Sequence, residues 1–174
     1  IPYPAPGYES ATVRTSGCGP MCASMVVETL LGERFPPEKW ADFAIEHKAR
    51  VSGGTDMGVL SRALFWAFGL KVTETDNVDV LRAALEQGCV AVVNVGGDRA
   101  GHKGVFSDSG HYLVVLAEAP DGRLVLADPY LYAGKYDKPH RQAVEVVGSL
   151  LYAPPDVVDK DAENRRPRYT VFGK

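Results

Sequence analysis

The chain has 174 residues, 45% hydrophobic and 24% charged, with a formal net charge of -3 and a pI near 5.8. These values fit one ordinary globular domain over residues 1–174 and give no basis for binding nucleic acid or an anionic membrane. No apolar run approaches the roughly 20 residues that span a bilayer, and three cysteines are too few for a disulfide scaffold.

The sequence opens at Ile1 rather than Met, so a segment is expected upstream, either a signal peptide or an artificial boundary. Residues 1–7 read as a Pro-rich extended lead-in, and residues 8–14 as a short loop or strand. A helix is predicted over 18–31, with Cys18, Met21, Cys22, Met25, Val26, Thr29 and Leu30 on one face and Gly32 as its C-cap. Pro36-Pro37-Glu38 opens a second helix over about 37–48, with Trp40, Phe43, Ala44 and His47 aligned. Residues 51–54 read as a loop. Thr55 or Asp56 then caps a third helix carrying Leu60, Leu64, Phe65 and Phe68, stopped by Gly69.

From Leu70 the period changes to alternation, a short strand over 70–74. Asn77 caps a fourth helix, with Val80, Leu81, Ala84 and Leu85 inward and Gly88 at its end. Residues 89–95 form a continuous apolar run too short for a helix, hence a buried strand. Residues 96–110 are a long Gly-, Asp- and Ser-rich loop, a length often tied to function, with its glycines as candidate hinges of a lid or specificity loop. Strands over 111–118 and 123–128 flank the turn Pro120-Asp121-Gly122 as a hairpin. After a Tyr-rich irregular region come residues 144–151, a polar stretch over 156–166 and a last strand over 169–172. Helices first and strands later is the α+β order.

Ser16-Gly17-Cys18-Gly19-Pro20 places a cysteine at the first turn of a helix. The unpaired N–H groups and partial positive charge there stabilise a thiolate, the nucleophilic form. Such a nucleophile needs a base, and the base an orienting partner. His47 falls on a helix face, His102 in the long loop and His140 in an irregular region; His111 opens a strand behind the loop end Ser109-Gly110. The hairpin brings position 111 roughly opposite position 130, so Asp128 lies on the diagonal beside it. An Asp-Pro turn at Asp128-Pro129 is the structural alternative. A zinc site of Cys18, Cys22, Cys89 and a histidine lacks the tight C-x2-C pairing of closed sites, so no metal and no cofactor is expected. Cys22 and Cys89 read as small core residues, or as a disulfide in an extracellular protein.

The motif Ser16-Gly17-Cys18-Gly19-Pro20, with Met25-Val26-Val27 behind it, resembles that of C39-like cysteine peptidases of the papain-like superfamily. Gly88 to Val93, Val105 to Leu116 and Gly122 to Pro129 resemble three further segments of that family, in the same order, over about residues 8–132. The resemblance implies a papain-like α+β fold, with N-terminal helices packed on a mainly antiparallel sheet. It also implies Cys18 as nucleophile, His111 as base and then acid, and Asp128 as orienting residue. Many papain-like enzymes have Gln six positions before the nucleophile; here it is Thr12, as in a bacterial and phage subgroup with Thr-Ile/Val ahead of the motif. The oxyanion donors expected are therefore the backbone N–H of Cys18 and the Thr12 side chain, with Ser109 and Gly110 at the substrate cleft. Met21 and Cys22 replace the more usual Thr-Ser.

The function expected is amide hydrolysis through a thioester acyl-enzyme, on a protein, a peptide or the peptide crosslink of bacterial cell wall. The alternatives are an acyltransferase of the same fold and a binding domain with a degenerate site. A monomer is expected, in the extracellular space or cell envelope, or else cytoplasmic or phage-derived.

Overall fold

The computed structural model describes residues 1–174 and divides into two compact units, residues 1–72 with 172–174 and residues 73–171.

In the first unit the Pro-rich lead-in folds back along the chain: Tyr3 N–H donates to Ala11 O at 2.9 Å and Val13 N–H to Ile1 O at 2.9 Å. A one-turn helix, α1 (Val13–Ser16), stands where the sequence suggested loop or strand. Its cause is local. Thr12 and Thr15 form a reciprocal capping box that satisfies two backbone donors. Gly17 then joins α1 to α2 (Cys18–Leu31), which ends at Gly32 in the left-handed region, φ 70°. The buried face of α2 is Gly19, Pro20, Cys22, Ala23, Val26, Val27 and Leu30. That face is rotated from the predicted one: Thr29 is exposed, and Met21 and Met25 are only half-buried. The small residues Gly19 and Ala23 lie inward because α2 has neighbours on more than one side, packing on both α3 (Pro37–Glu46) and α4 (Met57–Phe68).

The loop expected at 51–54 is the turn of a small antiparallel hairpin, β1 (Arg50–Val51) with β2 (Gly54–Thr55). Asp56 is the cap of α4, accepting from Val59 N–H at 3.0 Å. Trp40 and Phe68 close the apolar face between α3 and α4, with ring centroids 5.7 Å apart. Phe65, predicted inward, is instead 45% exposed on the outer side of α4.

A seven-stranded sheet of order β3-β9-β4-β5-β6-β8-β7 lies largely in the second unit. Its strands are β3 (Lys71–Thr75), β4 (Val90–Val95), β5 (His111–Glu118), β6 (Leu124–Ala127), β7 (Glu145–Val147), β8 (Leu150–Ala153) and β9 (Tyr169–Gly173). The pairs β4–β5, β5–β6, β6–β8 and β7–β8 are antiparallel. The fold is thus mixed α+β, with six α-helices and a large antiparallel sheet. Asn77 caps α5 (Val78–Glu86), whose Leu81 and Leu85 enter the core; Val80, predicted inward, is 47% exposed. Inside the polar stretch 156–166 lies α6 (Pro155–Asp161), opened by Pro154-Pro155 and anchored by Val158.

Two register facts position the site residues. Val95 pairs with His111 at the mouth of the β4–β5 ladder. Val114 pairs with Ala127 before a bulge between Val115 and Ala117. Continuing that pairing outward sets position 111 across from position 130, the offset the turn had suggested.

Candidate functional site

Cys18 is the first residue of α2. No side chain caps that end, since Gly17 is the N-cap, so the sulfur sits in the helix's own N-terminal field. Both flanking glycines are required by close approach. A Cβ on Gly17 would stand 2.5 Å from Val13 O, and one on Gly19 2.5 Å from Thr55 Cβ. Thr55 is itself fixed: its Oγ1 is 2.6 Å from the Tyr3 hydroxyl. Tyr3 is fully buried under the Arg50 guanidinium, which lies 4.6 Å from the ring centre and donates Nε–H to Tyr3 O at 2.9 Å. Burial pushes the Tyr3 phenol up, and the negative charge of Cys18 acts the same way, so the hydroxyl is neutral and available as a donor. Cys18 is half-buried, whereas Cys22 is fully buried, and no disulfide joins the three cysteines.

Thr12 is engaged at the α1 cap, its Oγ1 accepting from Thr15 N–H at 3.4 Å. The Thr15 hydroxyl donates to Thr12 O at 3.1 Å. Thr12 Oγ1 also lies 3.5 Å from Thr15 Oγ1, whose own proton goes to Thr12 O, so a Thr12 proton given to another partner would be drawn from that contact.

His111 and Asp128 meet in the second unit, His111 Nε2 at 2.8 Å from Asp128 Oδ1. Both are buried. The carboxylate is saturated: Oδ1 also accepts from Tyr130 N–H at 2.9 Å, while Oδ2 accepts from Lys135 Nζ at 2.6 Å and Tyr136 Oη at 2.6 Å. Burial pushes the Asp128 carboxyl up, but the hydrogen bond and charge of His111, and then Lys135, outweigh it and hold it well below the usual carboxylate range. An ionised carboxylate only accepts, so His111 carries its proton on Nε2. In the neutral ring Nδ1 is then the acceptor nitrogen.

The loop 96–110 is held from several sides. Asp161, at the end of α6 and fully buried, accepts from Val105 N–H at 2.9 Å and Phe106 N–H at 3.1 Å, and lies 2.7 Å from His102 Nε2. Asp98 accepts from Gly104 N–H at 2.7 Å. The loop glycines answer to packing: Gly97, at φ 71°, lies against the Ser109 backbone, where a Cβ would stand 2.6 Å from its Cα. A lid motion of this loop would break the Asp161 bonds. Ser109 and Gly110, at its end, are exposed, and the Arg165 guanidinium lies beside Gly110.

Lys135, Tyr136, Arg141 and Asp161 have no counterpart among the residues predicted from sequence. The available signal was a lysine and an arginine inside a Tyr-rich segment otherwise without periodicity. Arg141, 2% exposed, donates to Gly104 O, Lys135 O and Asp108 Oδ1 and so ties the loop to the segment behind Asp128. No group of three or more His, Cys, Asp or Glu side chains is arranged to hold a metal ion. No helix is long and apolar enough to cross a membrane. No family model matches the chain, and no curated protein matches it either.

Proposed function

We propose that the protein is a cysteine peptidase of C39-like, papain-like type, with Cys18 as nucleophile, His111 as base and then acid, and Asp128 as orienting residue. The observation that carries this reading is the His111 Nε2–Asp128 Oδ1 bond at 2.8 Å to a buried, fully saturated carboxylate. A histidine merely filling space at a strand end does not need a carboxylate bonded through four donors. Cys18 at an uncapped helix start supplies the second half.

In the proposed reaction the Cys18 thiolate, paired with the His111 imidazolium, attacks the amide carbonyl carbon. The carbonyl π electrons move to oxygen, and the oxyanion is held by the Cys18 backbone N–H and the Thr12 hydroxyl. The C–N bond breaks as His111 Nδ1–H protonates the leaving amine. Water then loses a proton to Nδ1 and attacks the thioester, and the acid leaves as the C–S bond breaks. The proposed substrate class is a protein, a peptide or a cell-wall peptide, and the proposed location is the extracellular space or cell envelope, with the cytoplasm or a phage origin as the alternative.

The test is alkylation with iodoacetamide at pH 6, read by mass spectrometry. Cys18 is expected to label far faster than Cys22 or Cys89, and Cys18→Ala to abolish cleavage of a peptide library and of cell-wall peptides. Labelling of Cys22 or Cys89 ahead of Cys18 overturns the assignment. An unreactive Cys18 together with an unchanged function in Cys18→Ala identifies a binding domain.

A further inference from the structure

Asp128 is bonded from two directions, and only one of them is explained by the reaction. His111 and Tyr130 N–H use Oδ1, while Lys135 and Tyr136 use Oδ2. Lys135 is 4% exposed, an unusual place for an ammonium. Its Nζ has two hydrogen bonds, to Asp128 Oδ2 at 2.6 Å and to Tyr130 O at 3.1 Å. It also lies 5.6 Å from the ring centre of Tyr130, 5.8 Å from that of Tyr132 and 5.6 Å from that of Tyr136. Three aromatic faces within cation–π range make up part of the lost hydration. Arg141 Nη1 fixes the Lys135 carbonyl at 3.1 Å, and the Tyr136 ring packs edge-on against the buried Phe106. The ammonium is therefore delivered to Asp128 by a built cage.

We propose that Lys135 is a positioning residue for the His111–Asp128 pair: its buried ammonium pins the outer carboxylate oxygen and offsets the negative charge that His111 experiences. The inference rests on the function proposed above for what the pair does, and stands on the cage alone for what Lys135 does to the pair. Asp128 by itself would bind the imidazolium proton tightly. With Lys135 opposite, the carboxylate still fixes the Nε2–H tautomer but pulls less on the charge, so Nδ1 gives up its proton more readily to the leaving amine. Charged and titratable groups near His111 include Asp128 itself, the Tyr136 hydroxyl through Asp128 and, in the proposed pair, the Cys18 thiolate, with the Arg165 guanidinium beside the neighbouring Gly110. Val95, opposite His111 on β4, does not titrate.

The test follows the His111 ring by NMR across pH in the full chain carrying Cys18→Ala, which makes the readout independent of catalysis. Lys135→Met is expected to move the His111 midpoint up by about one pH unit, Lys135→Gln by a similar amount, and Lys135→Arg to leave it near the parent value. With Cys18 restored, the alkaline limb of kcat/KM is expected to move upward with that midpoint. A merely structural role would lower stability and leave the midpoint in place. In the unsubstituted protein the nitrogen chemical shift of the Lys135 ammonium is expected to follow the His111 midpoint, which decides the matter even if the neutral variants do not fold. An unmoved His111 in folded Lys135→Met or Lys135→Gln, or an ammonium indifferent to His111, overturns the proposal. A shifted midpoint beside an inert Cys18 leaves Lys135's role standing and removes the peptidase reading.

Discussion

The two halves of the proposed site are prepared by different physics. Around Cys18 the first unit supplies a helix start, two glycines and a neutral tyrosine–threonine hydrogen bond. Arg50 there donates to Tyr3 O and to the carbonyls of the β1–β2 hairpin. Around His111 the second unit supplies a buried carboxylate saturated by an imidazole, an ammonium, a phenol and a backbone N–H. The nucleophile's end thus depends on shape and backbone dipoles, and the base's end on compensated charge. Substitutions should separate the two: small, steric and pH-independent effects in the first unit, large and pH-dependent ones in the second.

The largest effect is expected for Asp128→Asn. It removes the ion opposite a Lys135 that is 4% exposed, and breaking a buried pair from one side costs about 3–5 kcal/mol. It also frees His111 to adopt the wrong tautomer, which lowers kcat by about 10²–10⁴-fold. Urea unfolding and turnover measure the two losses separately. The pH dependence has a definite sign. The folded carboxyl is held below its ordinary value of 3.8, so its stabilisation is fully present above that value and is lost as pH falls below it. The stability gap between the parent and Asp128→Asn is therefore expected to narrow on acidification below about pH 4. A gap that is constant from pH 7 to pH 3 would show that the carboxylate charge does not stabilise the fold.

Next in size is Thr12→Ala. Its hydroxyl accepts from Thr15 N–H, so loss of the cap costs about 1 kcal/mol. If the hydroxyl proton also serves the oxyanion, kcat falls by about 10²-fold beyond that, with KM little changed, and Thr12→Ser restores it. A kcat within twofold of the parent would confine Thr12 to capping.

Gly19→Ala is expected to act purely by contact. The new Cβ meets the Thr55 side chain at 2.5 Å, and overpacking of this kind costs about 1–3 kcal/mol. Thermal unfolding reads that loss, and slower alkylation of Cys18 at every pH tested reads the displaced helix start.

What was legible in the sequence follows the same division. The nucleophile's helix, its glycines and its C-cap are local signals, written within about one helical turn of each other. The hairpin offset that sets Asp128 beside His111 was also legible to within a residue: a tight turn fixes the register near Glu118–Leu124, and the bulge between Val115 and Ala117 shifts it by one before the Val114–Ala127 pair. The cage around Asp128 was not. Lys135, Tyr136 and Arg141 lie in a stretch with no regular period, and a lysine's default place is the surface. Their inward turn is dictated by a carboxylate that needs donors, a tertiary demand invisible from the neighbouring residues. Asp161 was hidden the same way, as one acid in a polar run, although Pro154-Pro155 marked the helix that buries it. The rotated face of α2 has a similar origin: periodicity finds a stripe, but contact with both α3 and α4 decides which side of it is covered.

The smallest effect, and the sharpest statement of the contrast, is expected for Tyr3→Phe. Tyr3 is fully buried and its hydroxyl is 2.6 Å from Thr55 Oγ1. Because burial pushes the phenol up, it is neutral over the whole working pH range, and the substitution removes a hydrogen bond without removing a charge. Loss of such a bond costs about 0.5–1.5 kcal/mol. The pH at which Cys18 alkylation is half-maximal should stay within about 0.3 units, since a neutral hydroxyl adds no charge to the field of the α2 N-terminus and the proposed His111 imidazolium that favour the thiolate. A larger displacement would mean that the Tyr3 hydroxyl donates to the thiolate itself. The two halves would then be alike, each an anion held by a buried side-chain donor.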